Sequence, residues 1–136
     1  MPRITLANGT NVDLVEPIIA GGNFYWYEAT KGGDRNPTSQ SELNGIFELA
    51  REAEKARSIL GEPMIVTSWY RPSWINNQIP NAARNSLHIP GRAMDFYCKN
   101  LTPLQIYRKL DPSWDGGLGL YGGHVHIDVR GNRARF

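Results

Sequence analysis

The sequence predicts a small α+β domain, an antiparallel sheet with helices on one face and a row of polar, ligand-type residues on the other. Three observations carry the prediction. Residues 93–98 and 124–129 alternate polar and apolar side chains with the two-residue period of half-buried strands. Residues 41–60 place apolar side chains at helical spacing. The polar faces of the two strands, with the turn before the first, hold His88, Asp95 and His126. Two imidazoles and one carboxylate are the ligand set of a catalytic zinc whose fourth tetrahedral position stays open for water. The face opposite the helices is therefore the expected zinc site, and the sequence points to a metallohydrolase.

The elements follow in chain order. Residues 1–22 contain a short hairpin around Asn8-Gly9 and end at Gly21-Gly22. The aromatic stretch 23–30 precedes the Gly32-Gly33-Asp34 turn and is expected to pack under the site, in preference to stacking on sugar. Helix 41–60 opens with a capping box from Ser39 and Glu42, carries Leu43, Ile46, Phe47, Ala50, Ala53 and Ile59 on its apolar face, and stops at Gly61. The apolar run 64–67 reads as a central strand leading to Arg71. The loop 72–87 is long and polar, with Trp74, Asn76, Asn77, Asn81 and Asn85, and is expected to wall a cleft between Arg71 and His88. Thr102 and Pro103 start a second helix that runs through Leu110 and ends at Asp111-Pro112. Residues 116–121 and 124–129 form a hairpin across Gly122-Gly123.

Pro90 and Gly91 place His88 in a turn before the first ligand strand. There Asp95 points with Ala93 and Tyr97, while Met94, Phe96 and Cys98 point into the core. In the last strand His124, His126 and Asp128 share one face, opposite Val125, Ile127 and Val129. Taken singly, each has an ordinary structural reading as a strand histidine or a turn acid. Taken together, with His126 31 residues after Asp95, they form a ligand set. A closed structural zinc site takes four Cys or His ligands, and this chain has one cysteine, Cys98.

Composition agrees with a small hydrolase. At 136 residues the chain is expected to be one domain, 1–136, burying roughly two thirds of its unfolded surface without disulfides. A net charge of +2 and basic residues that do not interleave with aromatics argue against a nucleic-acid partner. The run Arg130-Gly131-Asn132-Arg133-Ala134-Arg135 reads as a solvated basic tail, with attraction to an anionic cell wall as the sharper alternative. Neither a signal peptide nor a membrane span is visible.

The pattern Ser86-x-His88-x-x-Gly91-x-Ala93-x-Asp95 followed by His124-x-His126 resembles the zinc D-alanyl-D-alanine carboxypeptidase family. Its fold is shared by phage L-alanyl-D-glutamate endolysins and the hedgehog amino-terminal domain. Thr67-Ser68-Trp69-Tyr70-Arg71-Pro72 and Asn76 resemble the segment before the first ligand, so the likeness runs over residues 24–131. The resemblance implies Zn²⁺ held by His88, Asp95 and His126, a catalytic histidine at His124, and an arginine, Arg71, that holds a substrate carboxylate or carbonyl. Tyr121 stands where some members carry another histidine, and Gly123 where the endolysin branch carries an acid. The general base therefore lies between His124 and Asp128, the latter otherwise orienting a ligand histidine. Tyr121 is a candidate hydrogen-bond donor to the tetrahedral intermediate.

The implied substrate is a peptidoglycan peptide containing D-amino acids, cleaved by a carboxypeptidase or an endopeptidase of endolysin type. The expected enzyme is a monomer that acts on the cell wall, delivered by phage or held in the cytoplasm before lysis. The alternative is a non-catalytic, zinc-stabilised binding module of the same fold.

Overall fold

The computed structural model describes residues 2–83 and 85–136. Strands β1 (Arg3–Thr5) and β2 (Asn11–Asp13) form the hairpin expected around Asn8-Gly9, pairing the buried Ile4 and Val12. The aromatic stretch then divides. Phe24 and Trp26 are buried and meet Trp69 and Phe47 edge to face, whereas Tyr25 is half-buried and Tyr27 is 46% exposed. The short helix α1 (Trp26–Ala29) begins here, and its Glu28 carboxylate accepts the Tyr25 N–H at 2.9 Å.

Burial, opposed by the Tyr25 N–H and reinforced by nearby Glu54, pushes the Glu28 carboxyl up from 4.5 to about 6. The folded chain thus binds this proton more tightly than the unfolded chain. Stability attributable to Glu28 falls as pH rises from about 4.5 to about 6 and stays lower above, by roughly 2 kcal/mol. Glu28→Gln keeps an acceptor for Tyr25 and removes the charge. It is expected to raise the melting temperature at pH 8 and leave it nearly unchanged at pH 4. An equal shift at both pH values would contradict the burial argument.

Helix α2 (Gln40–Leu60) starts with the anticipated capping box, in which the Ser39 hydroxyl accepts the Glu42 N–H and Glu42 returns to the Ser39 N–H. Its buried stripe includes Leu43, Ile46, Leu49, Ala50, Ala53, Ala56 and Leu60. Ile59, expected on that stripe, is 41% exposed. At about 100° of turn per residue, it lies off the line from Ala53 through Ala56 to Leu60.

Five further strands make one sheet: β3 (Ile65–Ser68), β4 (Ala93–Tyr97), β5 (Gly117–Leu120), β6 (Val125–Asp128) and β7 (Ala134–Arg135). Their order is β3-β4-β6-β5-β7, antiparallel except for β7, which runs parallel to β5. Two expectations need correction. The first concerns β3, which is an edge strand and not a central one. Its apolar run reflects cover from the side: Ala29 carbonyl accepts the Tyr70 N–H, and Lys31 Nζ donates to the Thr67 carbonyl at 2.9 Å. The second concerns the basic run, which is not a solvated tail. Arg130 pairs with Asp128, while Arg133 and Arg135 both clamp Asp111 and donate to the Trp114 carbonyl, pinning β7 to residues 111–114.

Helix α4 (Pro103–Leu110), capped by Thr102, packs with α2 over the apolar face of the sheet. Ile106 and Leu110 join Met94, Phe96, Leu118, Val125 and Ile127 in a continuous core, each fully buried and contributing about 1.5–3 kcal/mol. The opposite face is thereby left to Asp95 and His126. The long loop after β3 carries a single-turn helix, α3 (Ser73–Asn76). Among the described residues, no helix is long and apolar enough to cross a membrane.

Candidate active site

Asp95 on β4 and His126 on β6 are direct register partners across the middle of the sheet. His126 Nδ1 lies 3.1 Å from Asp95 Oδ1. His88 arrives from a turn: its carbonyl accepts the Arg71 N–H at 2.9 Å, and Trp69 Nε1 donates to the Gly91 carbonyl at 2.9 Å. The Pro90 carbonyl rests against Gly45 of α2, where any Cβ would overlap it, so this glycine lets the turn sit close to the helix. The His88 ring then places Nε2 3.3 Å from Asp95 Oδ2. Donor atoms of His88, Asp95 and His126 all lie within 4.8 Å of one another.

The outer nitrogens show that these residues fit a metal. His88 Nδ1 is 2.8 Å from the Trp69 carbonyl, which only accepts, so Nδ1 carries the proton and Nε2 turns its lone pair to the cluster. His126 Nε2 is 2.7 Å from Asp128 Oδ2. The Asp128 carboxylate is completely buried and also accepts the Gly117 N–H and two bonds from Arg130. Asp128 is thus an ionised acceptor, and His126 donates through Nε2 and keeps Nδ1 for the cluster. Two oriented imidazoles and a carboxylate, with no fourth protein ligand in the group among the described residues, match the open donor set of a catalytic zinc.

The electrostatics agree. Burial alone would raise Asp95, but the close approach of the His126 and His88 rings outweighs it and holds the carboxyl well below the usual carboxylate range. Asp128 is held low in the same way by His126, Arg130 and the Gly117 N–H, again against burial. For His126, burial disfavours the charged ring, yet Asp128 and Asp95 overcome it and raise its pKa. The site therefore favours positive charge at the position between Asp95 and the two imidazoles.

A cleft of about 560 Å³ opens over this cluster. All seven residues singled out by sequence line it: Arg71, His88, Asp95, Tyr121, His124, His126 and Asp128. His124 Nε2 stands 4.0 Å from Asp95 Oδ2, and its side chain is 34% exposed. The Tyr121 ring lies parallel to it at 4.6 Å. Arg71 is buried, with Nη1 donating to Asn76 Oδ1 at 3.0 Å and Nη2 to Ser68 Oγ at 3.2 Å. Its Nε has no partner among the described residues. Asn76 in turn donates to the Ala83 carbonyl, tying Arg71 to the loop whose residues 79–83 and 85–87 form one wall.

Sequence reasoning missed the Trp69 carbonyl, Arg130 and Phe136. Arg130 follows Asp128 by two residues, the spacing of one strand face, so alternation was a usable signal. Phe136 reaches the site through β7 pairing and left no periodic trace.

A three-residue group that could hold a metal, on the polar face of a small α+β sheet and at the floor of a cleft, is the arrangement of a metallohydrolase. The protein-family model described as Peptidase M15 matches residues 19–128, and the chain belongs to this family of zinc-dependent peptidases. No curated protein and no solved structure matches the chain.

Proposed function

We propose that the protein is a zinc peptidase that cleaves peptidoglycan stem peptides containing D-amino acids, as a carboxypeptidase or an endopeptidase. One observation carries the reading: the ligand cluster shares its cleft with Arg71, whose guanidinium is fixed by Asn76 and Ser68. Because Asn76 and Ser68 already order the guanidinium, it meets a substrate carboxylate without first having to be fixed. Stem peptides are rich in carboxyl groups of this kind.

His88 Nε2, Asp95 and His126 Nδ1 would hold the zinc. Zinc in such a site supplies Lewis acidity towards a carbonyl and makes water acidic near neutral pH. Asp128 keeps His126 in the tautomer that leaves Nδ1 free; its burial and its bonds to Arg130 and Gly117 suit that positioning role better than proton transfer. His124 is exposed to the cleft and takes or returns a proton at Nε2. Tyr121 holds the His124 ring flat and directs its hydroxyl to a substrate oxygen. Arg71, fixed by Asn76 and Ser68, holds a substrate carboxylate.

Mass analysis of purified muropeptides after incubation with the zinc-loaded protein tests the reading and identifies the bond. Loss of terminal D-alanine indicates a carboxypeptidase, and a split within the stem or a cross-link indicates an endopeptidase. Unchanged muropeptides that still bind the protein would establish the zinc-stabilised binding module, which Gly123 at the endolysin acid's place favours. Arg71→Lys keeps charge but loses the planar fork. It is expected to lower kcat/KM by about tenfold on carboxylate-bearing peptides, with zinc content unchanged. Amidating the substrate should then hurt the wild type more than the variant; equal sensitivity would remove Arg71 from substrate recognition.

A further inference from the structure

The sheet brings one residue to the metal ligands that neither the ligand pattern nor the substrate clamp uses. Phe136 follows β7 and is bonded to β5 through both of its backbone groups, its N–H donating to the Leu118 carbonyl at 3.1 Å and its carbonyl accepting the Leu120 N–H at 2.8 Å. Those two bonds set its side chain beside Gly119, the register partner of His126. A Cβ on Gly119 would lie 2.5 Å from Phe136 Cε2, so the ring occupies the space left by the missing side chain. Across that gap it meets His126, with ring centroids 5.3 Å apart and planes inclined by 53°. The His88 ring stands 5.4 Å from His126 at 77°.

The hydrogen bond from His126 Nε2 to Asp128 and the approach of Nδ1 to Asp95 fix the imidazole within its plane. They leave rotation out of that plane weakly restrained. The aromatic ring of Phe136 supplies that restraint. Arg130, which grips Asp128, also lies 5.2 Å from the Phe136 ring centroid, so the ring packs against the ligand and against the group that orients the ligand's partner. Arg133 and Arg135 anchor the strand that delivers the ring, which accounts for the basic run as a clamp on Asp111.

We propose that Phe136 is a positioning residue of the metal centre: seated over Gly119, its ring holds the His126 imidazole at the tilt that points Nδ1 to Asp95 and His88. This inference rests on the zinc reading of the three ligands, but not on the identity of the substrate. Phe136 retains 48% exposure and lines the cleft, so its substitution alters a partly open wall, not the core.

Zinc affinity, measured by competition with a chromophoric chelator, is the primary test, and the cobalt-substituted protein reports ligand geometry through its visible absorption. Phe136→Ala is expected to weaken zinc binding by about tenfold, the lower end of the effect of removing an outer-shell partner, and to change the cobalt spectrum. Phe136→Tyr should restore both. Gly119→Ala displaces the ring without removing it and should reproduce the loss, and the double variant should be no worse than either single one. Leu120→Ala, at an exposed position on the same strand, should bind zinc as the wild type does. Wild-type affinity and spectrum in folded Phe136→Ala and Gly119→Ala would overturn the proposal. A wild-type protein that binds no zinc would instead reject the ligand assignment.

Discussion

Replacing His126 with alanine is expected to lower zinc content from about one ion per chain to near zero after dialysis and to abolish peptidase activity. The expectation follows from the geometry of the donor set. Among the described residues three side chains converge in the group, and the His126 ring is held at both nitrogens, with Nδ1 3.1 Å from Asp95 and Nε2 2.7 Å from Asp128. Without it, His88 and Asp95 remain as two ligands, too few to compete with water and buffer for zinc. The fold should survive. Asp128 keeps Arg130 and the Gly117 N–H, Asp95 keeps His88 and lies 3.9 Å from Arg71, and the apolar face of β6 is untouched. Elemental analysis together with circular dichroism separates metal loss from unfolding. Full zinc occupancy in the folded variant would reject His126 as a ligand.

The grouping of Asp95 and His126 on one face was legible because strand alternation is a strict geometric rule. Once residues 93–97 and 125–128 are strands, Asp95 and His126 must project from the faces opposite Phe96 and Ile127. Helix α2 was legible for a similar reason: the Ser39 and Glu42 cap and the Gly61 stop are local chemistry. What the sequence hid was long-range. The edge position of β3 depends on which segment lies beside it, and residues 29–31 do so through two hydrogen bonds without a periodic signature. The arginines near β7 read as solvated because their partner, Asp111, is 22 and 24 residues away. The orientation of His126 was half visible. Asp128 lay on the right face, but its complete burial and its grip by Arg130 and Gly117, which favour a positioning role over that of a base, required the folded sheet.

His124→Ala is expected to retain zinc and fold while losing roughly 10²- to 10⁴-fold in kcat, the usual contribution of a positioned acid or base. The structure separates its position from that of the ligands. Nε2 is 4.0 Å from Asp95 Oδ2, close enough to serve a reaction at the cluster, yet outside the group whose donor atoms converge. One third of its side chain is open to the cleft, so a proton taken from a reactant at Nε2 has an exit to solvent. Asp128 has no such route. Its carboxylate is sealed from water and already accepts four hydrogen bonds from His126, Gly117 and Arg130, with a fifth from the Arg130 N–H at 3.2 Å. Protonating it would break the contacts that orient a metal ligand. Stacking on Tyr121 further restricts the His124 ring, so alanine removes a held group, not a mobile one. Single-turnover measurements on a cleaved muropeptide, with zinc content measured in parallel, give the comparison. A variant that keeps zinc and turns over within a factor of three of wild type would move the proton-transfer role to another group in the cleft, with the Tyr121 hydroxyl the next to test.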